Sequence, residues 1–269
     1  TTNLNYNVGF LRVDGVIYGD KQATNSLDAQ WKFYSDTTRY LYVYSVGNPN
    51  SLATEIMIAV HGHSIAAADY LSILGLEITG TGSHGFNSSK THLTMSNNFI
   101  HEIGGSYLTG TTRYGNGIQL WTGATNTRIT NNIIADCYDV ATTMQGFTGA
   151  FVDCSFKYNL IYNSAQAFEW WVQAGAGFTN CSFEDNVCIN AGRGWGYDYR
   201  PTAGKTNACA LLTYPNAGSS NDLSIKYNIF YNPRRLVYRS ATFTVPAGFV
   251  SDYNYIFMGE SESLSYHEP

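Results

Sequence analysis

Two carboxylates stand within an aromatic-rich stretch of the chain: Glu169 in AFEWWV (167 to 172) and Asp198 in RGWGYDYR (193 to 200). A pair of carboxyl groups is the usual equipment for hydrolysing a bond between sugars, one protonated to act on the leaving oxygen and one ionised to activate water. Arg193 and Arg200 lie beside them. A guanidinium so placed suits elimination from a uronate, which needs a cation to stabilise charge developing on the neighbouring carboxylate as well as a base; Tyr197, Lys205 and His84 are further candidates for that chemistry. The candidate catalytic set is therefore Glu169, Asp198, Arg200 and Arg193. The alternative is that these are solvated acids paired with nearby arginines.

Trp121, Trp171 and Gln119 fall at positions alternating with apolar ones in NGIQLW and AFEWWV, so they share an exposed strand face on which the indole rings can stack against sugar. The loop GGSYLTGTTRYGNG brings Arg113 and Tyr114 to close over the same face, and His84 joins them. Trp121, Trp171, Gln119, Arg113, Tyr114 and His84 make up the expected substrate-binding set. Exposed aromatics also suit a homo-oligomer contact, and Arg113 also reads as a solvated loop charge.

No metal site is expected. His61-Gly62-His63 and the pair His101 and Glu102 lack a third ligand at a telling spacing, and Asp136 and Asp139 sit where Asp makes turn hydrogen bonds. Oxygen-rich loops bind Ca2+ without a compact motif, which leaves calcium open. The five cysteines show no zinc spacing and read as small buried hydrophobes.

Charged residues make up 13% of the 269, against about 25% in a typical protein, and the net charge is −5. Nucleic acid is a poor partner for such a surface, because binding it takes a clustered excess of Lys and Arg. No apolar run reaches the roughly 18 to 20 residues that span a bilayer, and the opening TTNLNYNVGF lacks the basic and apolar regions of a signal peptide. A soluble chain without a membrane partner is expected.

What positions these residues is a repeat. The octet LSILGLEI from Leu71 recurs as LTMSNNFI, TRITNNII, CSFKYNLI, CSFEDNVC, LSIKYNIF and FVSDYNYI, starting at 93, 127, 154, 181, 223 and 249. Variable insertions on a fixed unit indicate a solenoid. Positions one, three and eight are apolar, the alternation of a half-buried strand. Position six is Asn in six of seven copies (Asn98, Asn132, Asn159, Asn186, Asn228, Asn254), so stacked corners are expected, with Asn in the left-handed backbone and its amide bonded to the next Asn about 4.8 Å away. A second strand follows each octet: NGIQLW, DVATTM, AFEWWV, RGWGYDYR and RLVYRS. Burying the most apolar surface turns Ile118, Leu120, Ala141, Phe168, Trp170, Trp195, Tyr197 and Val237 inward, and Gln119, Trp121, Thr142, Met144, Glu169, Trp171, Asp198 and Arg200 outward. Glu169 and Asp198 then sit on adjacent strands with Cα atoms roughly 8 Å apart.

Residues 1–60 differ in pattern, with KFYSD and YLYVYS as a hairpin in a region that caps the solenoid; 61–258 form the repeat and 259–269 a polar tail. The octets, the Asn column and the leading FYSD, LYVYS and NP segments resemble the pectate-lyase-like superfamily. That resemblance implies an all-β fold, a right-handed single-stranded parallel β-helix of about seven or more coils with an N-terminal β-hairpin cap. It also implies an extracellular or virion-displayed protein handling polysaccharide, as a hydrolase or a lyase. No catalytic signature of that superfamily transfers residue by residue, so a non-catalytic glycan-binding or structural β-helix stands as the second reading.

Overall fold

The computed structural model describes residues 7–36, 40–109, 112–113, 115–173, 176–201, 205–214, 220–239, 248–259 and 263–267. The chain is all-β and dominated by three seven-stranded parallel sheets, an arrangement consistent with a β-solenoid. Each octet supplies two strands. Its first half enters the first sheet (Ser72–Leu74, Thr94–Ser96, Thr125–Thr130, Phe151–Lys157, Gly177–Glu184, Ser220–Lys226, Val250–Asp252). After the Asn corner its end enters the second sheet, from Glu77–Thr79 to Tyr255–Phe257, and the following segment enters the third, from Phe86–Ser88 to Ser263–His267. The second strand expected after each octet is thus the third sheet.

Parallel register stacks like on like. Ile73, Met95, Ile129, Phe156, Phe183 and Ile225 line the interior of the first sheet, and Ile78, Ile100, Ile134, Ile161, Cys188 and Phe230 that of the second. Phe168 of the third sheet stacks on Phe183 at 4.5 Å between ring centroids. Each such side chain, taken from water, contributes about 1.5–3 kcal/mol, and together they form one continuous core. All five cysteines are buried in it or beside it, and all are free thiols.

The asparagine ladder is present: from Asn132 onward each Oδ1 accepts from the backbone N–H and the Nδ2 of the Asn on the preceding strand, for example Asn132 to Asn159 at 3.0 Å in both bonds, Asn98 Oδ1 accepts from Leu76 N–H, and each Nδ2 also donates to a carbonyl such as Ile129 O. One expectation is corrected. The left-handed residue is not the ladder Asn but the one before it: Gly75, Asn97, Asn131, Tyr158, Asp185, Tyr227 and Tyr253 have φ of 54° to 68°. The sharp turn is made one residue early, which frees the Asn side chain to point inward and bond. A second ladder four residues on was not anticipated: Asn190 Nδ2 donates to Asn163 Oδ1 at 3.2 Å and Asn232 Nδ2 to Asn190 Oδ1 at 2.8 Å.

The hairpin in the N-terminal segment is Phe33–Ser35 with Leu41–Val43, antiparallel; its Thr37-Thr38 turn lies outside the described residues. Val8–Val13 pairs with Val16–Tyr18 and with Ile56–Val60. This segment also lies along the side of the solenoid, where Phe10 packs on Trp195 at 5.1 Å and Arg113 reaches Gly9 O and Gly19 O.

The segment RGWGYDYR is not a sheet strand. Gly192 and Gly194 take φ of 83° and 77°, and Trp195–Asp198 forms a one-turn helix outside the sheets. A Cβ at Gly194 would stand 2.3 Å from Asn163 O, so the close approach requires glycine. Cys209–Thr213, all five residues buried, takes the place in the third sheet. Trp195 and Tyr197 accordingly leave the interior set. A second correction concerns Val140–Gly146: Thr142 pairs with Ile118 and Phe168, so Thr142 and Met144 point inward and Thr143 and Gln145 outward. DVATTM has no strong alternation of its own, and a slip of one residue exchanges its faces; burying Met144 decides the register, while Thr142 Oγ1 is satisfied by Ala167 O at 2.8 Å.

Candidate functional site

On the outer face of the third sheet, register aligns Asn87, Gln119, Thr143, Glu169 and Leu212 in one column and Trp121, Gln145 and Trp171 in the next. Loops rise on both sides of these columns. They enclose a cleft of three adjoining hollows of about 450, 360 and 480 Å³, and Glu169 lines all three.

The floor is a chain of hydrogen bonds between uncharged groups. Gln119 Nε2 donates to Asn87 Oδ1 at 3.1 Å, Gln145 Nε2 to Gln119 Oε1 at 3.0 Å, and Trp171 Nε1 to both Gln145 Oε1 at 2.8 Å and Glu169 Oε1 at 3.1 Å. Asn116 Nδ2 donates to Gln119 Oε1 as well. These bonds fix which face of each amide the cleft meets. Trp121, Trp171 and Phe147 pack edge to face with centroids 5.4 to 6.0 Å apart, and the Phe147 ring stands half exposed at the rim.

Glu169 is only 6% exposed. Burial, reinforced by the negative charge of Asp139, pushes its carboxyl up to about 8; the Trp171 hydrogen bond and Arg200 oppose this without cancelling it. At neutral pH it is mostly a carboxylic acid, and Oε2 has no hydrogen-bond partner among the described residues. Asp139, at the end of the turn entering the third sheet, lines two of the hollows with it and is ion-paired to Arg200 at 2.6 Å. Arg200 Nη2 also donates to Tyr138 O at 2.7 Å and the guanidinium lies over the Tyr138 ring.

The expected residues divide as follows. Glu169, Trp171, Trp121, Gln119, Arg113, Arg200 and His84 line the cleft. Arg113 is not a solvated loop charge: it is buried, lies over the Tyr138 ring at 4.2 Å and donates to the carbonyls of Gly105, Tyr199, Gly9 and Gly19. It ties the N-terminal segment to the back wall. His84 is buried and held neutral, its imidazole pushed down to about 3 by burial and by His63 and His61, and its Nδ1 accepts from Asn116 N–H at 3.2 Å. Asp198 is exposed on the short helix and lines none of the hollows, so the expected pairing of Glu169 with Asp198 is lost with the misplaced strand. Arg193 also lies away from the cleft, bonded to Asn232 O at 3.3 Å. Met144 is inside the core, and Gln145 occupies the place between the two tryptophans. Tyr114 lies outside the described residues.

Sequence reasoning passes over Asn116, Gln145 and Phe147 and reads Asp139 only as a turn residue. A turn Asp after a repeat carries no mark separating it from a capping Asp, and only the insertion bearing Arg200 brings it a partner. Among the described residues no group of three or more His, Cys, Asp or Glu is arranged to hold a metal ion, and no helix is long and apolar enough to cross a membrane. Compared with family models, with curated proteins and with solved structures, the chain matches none.

Proposed function

We propose that the chain hydrolyses glycosidic bonds of an extracellular polysaccharide lying in this cleft, with Glu169 as the general acid. The observation that carries the reading is a buried carboxyl, protonated at neutral pH, on the floor of a long groove floored with amides and edged by tryptophan. Glu169 donates its proton to the leaving glycosidic oxygen, water adds to the anomeric carbon, and Asp139, held by Arg200, receives the proton that water releases. Trp121, Trp171 and Phe147 supply flat apolar surface for sugar faces, and Gln119, Gln145 and Asn116 supply donors and acceptors for hydroxyls.

The parallel solenoid supports a finer reading of the fold: a right-handed β-helix of seven coils, similar to the pectate-lyase-like superfamily. Connections between parallel strands of one sheet are right-handed in about 98% of cases, because twisted strands pack back only that way. A second reading, a non-catalytic glycan-binding protein, is favoured by the depth of Glu169 and its bond to Trp171. Release of new reducing ends from a polysaccharide panel separates the two. The Glu169→Gln variant is expected to lose at least about a hundredfold in rate while keeping its affinity. Equal rates for the variant and the parent chain would remove Glu169 from the chemistry.

A further inference from the structure

The guanidinium groups around the cleft are engaged within the protein. Arg200 Nη2 is ion-paired to Asp139 at 2.6 Å and donates to Tyr138 O at 2.7 Å, while its Nε is buried without a partner among the described residues. Arg113 directs its guanidinium to four backbone carbonyls and the face of Tyr138. His84 is buried and its Nδ1 is an acceptor. The polar groups left on the floor are the neutral amides Asn87, Asn116, Gln119 and Gln145, the Thr143 hydroxyl, and Glu169, whose acid form carries no charge. A carboxylate entering here would be stripped of water and would meet an acidic proton, amide dipoles, the imidazoles of His63 and His84, whose charged forms burial disfavours, and an Arg200 already neutralised by Asp139, so its charge would be poorly matched. Hydroxyl groups, by contrast, match amides one for one, and the perpendicular rings of Trp121, Trp171 and Phe147 suit the C–H faces of a pyranose.

We infer that the sugar seated over Glu169 is uncharged, so that the substrate is a neutral glycan opened by hydrolysis and not a uronate opened by elimination. This rests on the reading of the cleft as a glycan site. The ion pair of Arg200 with Asp139 becomes the selectivity element: it neutralises within the protein a lining guanidinium that a carboxylate could otherwise meet.

The test uses the full chain and matched polymers: polygalacturonate, polyglucuronate and polymannuronate, each beside the neutral polymer made by reducing its carboxyl groups to hydroxymethyl groups. Binding is followed by titration calorimetry at pH 6.5 and low salt, with reducing ends and the absorbance of unsaturated uronate measured alongside. The expected result is at least tenfold tighter binding of a neutral member than of its uronate twin. In the Asp139→Asn variant, which leaves Arg200 without its counter-ion, the ratio of uronate to neutral affinity is expected to rise at least tenfold. Preferred binding of a uronate by the parent chain, or unsaturated product, overturns the inference and leaves the glycan reading standing. So does a folded Asp139→Asn protein with unchanged selectivity. Neutral binding without cleavage overturns the acid role of Glu169 and supports the neutral class. A folded chain that binds no polymer of the panel overturns both.

Discussion

Replacing Glu169 by Gln is expected to make the protein more stable, increasingly so as pH rises. The carboxyl is pushed from its ordinary 4.5 up to about 8 in the folded chain. Its folded-state pKa is raised, so the stability it allows is fully present below the unfolded pKa and is lost as pH climbs through the folded one: above about 4.5 the unfolded chain gains by ionising while the folded chain must stay protonated. Each pH unit in that window costs about 1.4 kcal/mol, so the parent chain gives up on the order of 3 to 4 kcal/mol between pH 5 and pH 8 through this group alone. Gln keeps the acceptor for Trp171 Nε1 and the volume, and it does not titrate. Urea unfolding of both proteins at pH 5, 6.5 and 8 tests this, with near equality at pH 5 and a gap of about 3 to 4 kcal/mol in favour of Gln at pH 8. A gap that stays constant with pH would show that Glu169 is ionised in the folded protein, and the general-acid assignment would fall with it.

Other consequences are equally direct. Asn159→Ala strips the partner from the buried Asn132 N–H and loses the bond to Ile129 O, an expected loss of about 2–4 kcal/mol, whereas Asn254→Ala at the part-exposed end of the ladder should cost about 1 kcal/mol because water replaces the lost bonds; equal midpoints in urea would deny the stacked corners. Trp171→Phe keeps a ring but removes the hydrogen bond that holds the Glu169 carboxyl down, so the alkaline limb of the pH–rate profile should move to higher pH; a shift to lower pH would contradict the geometry. Arg113→Met removes a donor from four carbonyls at the junction with the N-terminal segment, of which Gly19 O keeps the Lys21 N–H, and should destabilise by about 3 kcal/mol or more, measured as a fall in the urea midpoint; an unchanged midpoint would mean those carbonyls find water.

The stacked architecture was legible in the sequence because each repeat carries its own local instruction. An apolar residue at every second position, then Asn, specifies a strand that bends at a bonded corner, and identical instructions in parallel register align without long-range information. The same locality explains why Glu169, Trp171, Trp121 and Gln119 were found on one face: AFEWWV and NGIQLW alternate strongly enough to choose their own register. The second Asn ladder was also written in the chain, as Asn four residues after Asn159, Asn186 and Asn228, and was passed over because its corner has no apolar flank to mark it.

What only the tertiary structure decided is the partner of Glu169. RGWGYDYR imitates the alternation of a strand, but Gly194 within it and Gly192 just before it take positive φ angles that a sheet cannot use, and the apolar run CALLT sixteen residues later buries more surface in the same place. Competition between two segments for one slot in a sheet is settled by the core that either would complete, which no window of sequence contains. With that slot filled by Cys209–Thr213, Asp198 moves to the surface, Arg200 folds back onto Asp139, and the carboxylate that lines the cleft together with Glu169 comes from a turn. Identity and spacing of residues told which groups could do chemistry; the packing of an insertion told which of them meet.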